Sequence, residues 1–123
     1  MQYTTDRKRA QGLGSGRSGT HHHWHMMVSS AALIILVPLF VFTFGRILGS
    51  SHAEVMAYFA RPFPAILSAL TLIVVTLHCK AEIDEAIMDY VHGVKGKLLL
   101  VAVTAASYAL IATGLFALVK LAL

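Results

Sequence analysis

One cysteine, Cys79, is present in 123 residues. A lone thiol excludes an intrachain disulfide, a cysteine zinc site, a CxxCH haem attachment and a cysteine-ligated iron–sulfur cluster within the chain. Beside His78 in an apolar run, it reads as a small buried hydrophobe. Charge is scarce too: Asp, Glu, Lys and Arg make up 13% of the residues, six acidic against ten basic, where a soluble domain has about 25%. The resulting net charge of +4 does not point to nucleic acid, because the basic residues sit at the ends of apolar runs rather than on a face with interleaved aromatics. No internal repeat is detectable. The leader lacks the short apolar stretch and small-residue cleavage site of a secretory signal, so it is expected to be retained.

What is abundant is apolar surface: 57% of the residues are hydrophobic and the mean hydropathy is +0.71, which makes a lipid bilayer the expected solvent. The expected fold is an all-α integral membrane protein, three transmembrane helices behind an N-terminal polar arm. Residues 1–25 form the arm and residues 26–123 the three-helix membrane anchor. Its spans are expected at about 26–48, 63–80 and 98–119, near the ~20 residues that cross about 30 Å of hydrocarbon. They use almost the whole chain. Any chemistry must therefore lie in the membrane or be shared with partners.

The arm shows no apolar periodicity before Trp24 and is expected to be extended. Its HHHWH cluster, His21, His22, His23 and His25 around Trp24, suits the zone where headgroups meet hydrocarbon, since consecutive histidines cannot all face one ion. In the first span, Pro38 is tolerable where neighbouring helices support the backbone. Ser29 and Ser30 are small and polar, fit for close helix contact or for hydrogen-bonding a bound group. Residues 49–64 read as a turn and a short amphipathic piece on the opposite surface. Pro62 and Pro64 then open the second span, where a missing amide donor costs little.

Basic residues set the orientation. Arg7, Lys8, Arg9, Arg17, Lys80, Lys95 and Lys97 fall on one side of the membrane, and Arg46, Arg61 and Lys120 on the other. The positive-inside rule places the N-terminus in the cytoplasm.

The chemistry concentrates in LHCKAEIDEAIMDY, residues 77–90. His78 closes the second apolar run, and an imidazole in hydrocarbon needs a partner, because an unsatisfied polar group there costs several kcal/mol. If the segment stays helical, the eleven residues from His78 to Asp89 turn through about 1100° and rise about 16 Å, so both point the same way. One helix would carry a buried imidazole and, near water, a carboxylate and the Tyr90 phenol. Lys80, Glu82, Asp84 and Glu85 read as a solvated extension that contacts a soluble subunit.

The interval from His78 to Asp89-Tyr90, at the cytoplasmic end of the second of three spans, resembles the signature of the cytochrome b-type membrane-anchor subunits, type D, of bacterial succinate dehydrogenase, respiratory complex II. Gly16-Arg17-Ser18-Gly19, ahead of the histidine cluster, is similar to that family's leader motif. The resemblance implies that a second anchor subunit, type C, shares a haem b with this chain and that His78 is one axial ligand of the haem iron. It also implies that Tyr90, with Asp89 beside it, hydrogen-bonds ubiquinone. An iron–sulfur subunit and a flavoprotein subunit would deliver electrons from succinate, and the chain alone would not be an enzyme. The location that the resemblance implies is the cell's inner, cytoplasmic membrane. Two positions depart from the pattern: Glu82 stands where relatives often carry glycine, and Met27 where they often carry an arginine for a haem propionate. That task would pass to the partner anchor or to the leader histidines.

Two other readings exist. If the acidic cluster Glu82, Asp84, Glu85 and Asp89 held Mg²⁺ and phosphate, the chain would suit a small integral-membrane lipid kinase of the diacylglycerol kinase type. If His78 and Tyr90 had only interfacial roles, it would be a non-redox membrane subunit.

Overall fold

The computed structural model describes residues 5–10 and 18–123, the side chains of Lys8, Arg9 and Ser18 excepted. Five helices follow in order among these residues, with no strand: α1 (Asp6–Ala10), α2 (Ser18–Gly45), α3 (His52–Phe59), α4 (Pro62–Tyr90) and α5 (Gly93–Ala122). Three stretches, Gly19–Gly45, Pro62–Tyr90 and Gly93–Ala122, are long and apolar enough to cross a membrane. The chain is a multi-pass helical membrane protein, as its composition led us to expect.

The arm differs from expectation. α2 begins at Ser18, so the histidine cluster is helical rather than extended. Once the apolar stretch holds a helix, each added residue gains a backbone hydrogen bond at little cost, and no proline stands between Ser18 and Trp24 to stop it. α4 likewise runs unbroken past the apolar residues to Tyr90.

α4 is the centre of the fold. It packs along α2 on one side and α5 on the other, and the backbones of α2 and α5 do not approach each other. On α2 the sheltered residues include Met26, Ser29, Leu33, Leu36, Phe40 and Thr43, alternating three and four apart, which lays one stripe along the helix against α4. Close approach depends on small side chains, as is usual between membrane helices. Thr43, Ser68, Thr71 and Thr76 are buried, and Phe59 and Leu67 are the buried hydrophobic residues among those described. The Thr71 hydroxyl is satisfied within its own helix by the Leu67 carbonyl at 2.8 Å. Across the α4–α5 contact, a Cβ on Gly114 would collide with Leu72 Cδ2.

Two residues, Val91 and His92, join α4 to α5. Gly93 turns the chain with a φ of 73°, which glycine adopts without strain, and Gly96 lies under the Val91 carbonyl, where a Cβ would clash. At the other end α3 touches α4 and α5, and the Tyr58 hydroxyl donates to the Thr43 carbonyl of α2 at 3.0 Å. A capping box starts α3: Ser51 N–H donates to Glu54 Oε2 at 2.8 Å, and Glu54 N–H donates to Ser51 Oγ at 3.4 Å. The backbone bond and, after it, the bond from the Ser51 side chain hold the Glu54 carboxyl below its ordinary range. Cys79 is exposed, against the expectation of burial. One helical step of about 100° turns it away from the direction His78 takes.

Candidate functional site

A cleft of about 380 Å³ separates the N-terminal half of α2 from the C-terminal half of α4. Val28, Ala32, Val74, Leu77 and Ala81 give it apolar walls, and His22, His25, Met26, Ser29 and His78 complete the lining. His78 comes in from α4 with its side chain 17% exposed. Its Nδ1 lies 2.8 Å from Ser29 Oγ, and the same hydroxyl donates to the Met26 carbonyl at 3.0 Å. Nε2 is 3.8 Å from Glu82 Oε1, beyond hydrogen-bond reach. The Glu82 carboxylate is mostly in solvent, where such an i,i+4 pair contributes a few tenths of a kcal/mol.

A second cross-helix contact lies beyond the first: His22 Nε2 meets Glu85 Oε1 at 2.6 Å. His22 and Ser29 are seven residues apart on α2, as are His78 and Glu85 on α4. Antiparallel helices bring such intervals into register every two turns, so both contacts fall on one seam. Glu85 is therefore engaged with α2, and Lys80 and Asp84 form a partly buried ion pair with each other. Both features correct the expectation of a plainly solvated extension. Glu82 remains exposed.

Asp89 and Tyr90 sit at the last turn of the same unbroken helix, about 16–18 Å along the axis from His78. They are not brought into the cleft, and Tyr90 is 85% exposed. Among the described residues neither side chain finds a hydrogen-bond partner. Met27 is exposed and does not line the cleft. Gly16 and Arg17 of the leader motif lie outside the described residues, while Ser18 and Gly19 form the first turn of α2.

A family model described as the succinate dehydrogenase/fumarate reductase transmembrane subunit matches residues 1–121. The chain belongs to that family. The succinate dehydrogenase hydrophobic membrane anchor subunit of Paracoccus denitrificans is 42% identical over 123 residues, covering 100% of this chain and 95% of the relative. No solved structure matches. This succinate dehydrogenase/fumarate reductase transmembrane subunit is a membrane anchor, which removes the lipid-kinase reading, and an anchor subunit implies further subunits to be anchored.

In this anchor subunit the sequence pointed to His78 and to the pair at the end of α4, but not to the Ser29–His78 or His22–Glu85 contacts. A signal for both was present in the equal seven-residue intervals on two antiparallel helices. Using it required knowing the relative register of α2 and α4.

Proposed function

We propose that this anchor subunit provides one axial ligand, His78, to a haem b shared with a second anchor subunit, and part of a ubiquinone site at Asp89 and Tyr90. In the same reading an iron–sulfur subunit docks on the cytoplasmic face and links it to the flavoprotein that oxidises succinate. The N-terminus lies in the cytoplasm, and the complex sits in the inner, cytoplasmic membrane. The observation that carries the reading is α4 itself: one continuous helix from Pro62 to Tyr90 takes His78 into an apolar cleft and Asp89-Tyr90 to the aqueous end.

The residues present fit a haem. Val28, Ala32, Val74, Leu77 and Ala81 would give the group apolar walls, and among the described residues His78 Nε2 has no hydrogen-bond partner while Nδ1 meets Ser29, which would leave Nε2 free to ligate. His25 at the α2 wall is a polar group on the cleft, fit for a propionate that Met27 cannot pair, whereas His22 is engaged with Glu85. Haem, when bound there, supplies a one-electron store inside the membrane.

At the other end of α4, reducing a quinone requires two electrons and two protons, and its carbonyl oxygens gain basicity as charge arrives. The Tyr90 phenol donates a hydrogen bond to one carbonyl oxygen, stabilising that charge. Asp89, adjacent and exposed, passes protons inward from water. The exposure of Tyr90 in the single chain leaves its hydroxyl available to a quinone bound against a neighbouring subunit.

A reduced-minus-oxidised optical spectrum of the purified complex tests the haem half. The native complex is expected to show a b-type band, and His78→Ala to lose its low-spin form. A native complex with succinate–quinone activity but no b-type band would remove the haem assignment alone.

A further inference from the structure

We infer that Ser29 is a positioning residue that sets the tautomer of His78, accepting the Nδ1 proton so that the lone pair resides on Nε2. A serine hydroxyl carries a single proton, and a backbone carbonyl has none to give. The Ser29 hydroxyl has Met26 O within reach at 3.0 Å as well as His78 Nδ1 at 2.8 Å. With its one proton given to the carbonyl, the contact with the ring is closed by Nδ1–H donating to the hydroxyl oxygen, which is the tautomer inferred. In neutral imidazole this leaves Nε2 unprotonated. Nε2 also lacks a hydrogen-bond partner among the described residues, its nearest charged neighbour being Glu82 Oε1 at 3.8 Å.

The contact is tertiary, spanning α2 and α4, and the His22–Glu85 contact at 2.6 Å holds the same two helices one heptad away. Ser29 therefore meets the ring at a fixed height rather than by chance rotation. The consequence rests on the proposed role of His78 as haem ligand. A hydrogen bond from Nδ1–H makes the imidazole a better electron donor through Nε2 and favours the oxidised iron. A hydroxyl, a weaker acceptor than a carboxylate, leaves the proton on the ring and the ligand neutral.

The test uses the complete complex purified with its own subunits, carrying Ser29→Ala, Ser29→Cys, Ser29→Thr or His78→Ala. The readouts are the haem midpoint potential, by optical redox titration, and the low-spin electron paramagnetic resonance signal. Ser29→Ala and the near-isosteric Ser29→Cys, a poor acceptor, are expected to raise the potential and move the low-spin signal. Ser29→Thr, which keeps a hydroxyl, is expected to restore both. If Ala and Cys leave both readouts at native values while His78→Ala loses the low-spin signal, the ligand reading stands and the Ser29 inference fails. If Thr shifts them as far as Ala does, side-chain volume rather than the hydroxyl is responsible, and the inference fails. Retention of a native low-spin signal in His78→Ala overturns both.

Discussion

Replacing Tyr90 with phenylalanine removes one hydroxyl and little else. Tyr90 is 85% exposed and its hydroxyl bonds to nothing within the described residues, so the fold should not register the change. A neutral hydrogen bond lost between the phenol and a quinone carbonyl is worth about 0.5–1.5 kcal/mol. At about 1.4 kcal/mol per decade, quinone kcat/KM is expected to fall roughly 2- to 12-fold. The assay compares succinate–ubiquinone reductase activity of the native and Tyr90→Phe complexes. Succinate oxidation with a soluble dye, which takes electrons before they reach the membrane, serves as the control and is expected to be unchanged. The haem spectrum should also hold, because His78 lies about 18 Å away along α4. Unchanged quinone kinetics in the variant would refute a role for Tyr90 in the quinone site. A loss shared by the dye assay would show damage to the assembly instead.

Three further outcomes follow from the packing. Gly114→Val places carbon where Leu72 Cδ2 already lies, so the complex is expected to lose about 1–3 kcal/mol in detergent-titrated unfolding, part of it regained on adding Leu72→Ala; native stability in the single variant would sink the close-approach argument. The His22–Glu85 contact has side chains 41% and 47% exposed, so solvent screening limits its coupling to about 1 kcal/mol or less; a double-mutant cycle of His22→Ala and Glu85→Gln returning several kcal/mol would contradict that. Glu54 has its carboxyl held below the ordinary value, first by the Ser51 backbone bond, so its support for the start of α3 is full above the ordinary glutamate pKa and is lost as pH falls through the lowered one. Amide exchange at the α3 N-terminus, corrected for intrinsic rate, is expected to show that loss in the native protein and no such pH step in Glu54→Gln.

Much of this architecture could be read before any coordinates, for reasons tied to particular residues. The three apolar runs pointed to three spans because lipid demands internally satisfied backbone over a set length, and the His78–Asp89 interval put both residues on one side only on the condition of a continuous helix, which α4 meets. The start of α2 escaped because residues 18–25 have no apolar rhythm of their own and are helical by extension from Met26 onward. Cys79 escaped because an apolar neighbourhood in sequence says nothing about which way a helix faces. Ser29 was legible as a small polar residue suited to a contact, but its partner was not, since that depends on how far α2 slides along α4.

The separation of the α2 and α5 backbones divides the chain into regions with different rules of tolerance. Along the middle of α4, hemmed in from two directions, substitutions should be judged by volume. Around the outer circumference of α2 and α5, where the described residues supply few neighbours, bulk should be accepted and a change of polarity resisted wherever lipid rather than another subunit lies outside. A saturation survey in the native host would then show two maps on one short sequence, one drawn by the subunit's own interior and the other by whatever medium surrounds it.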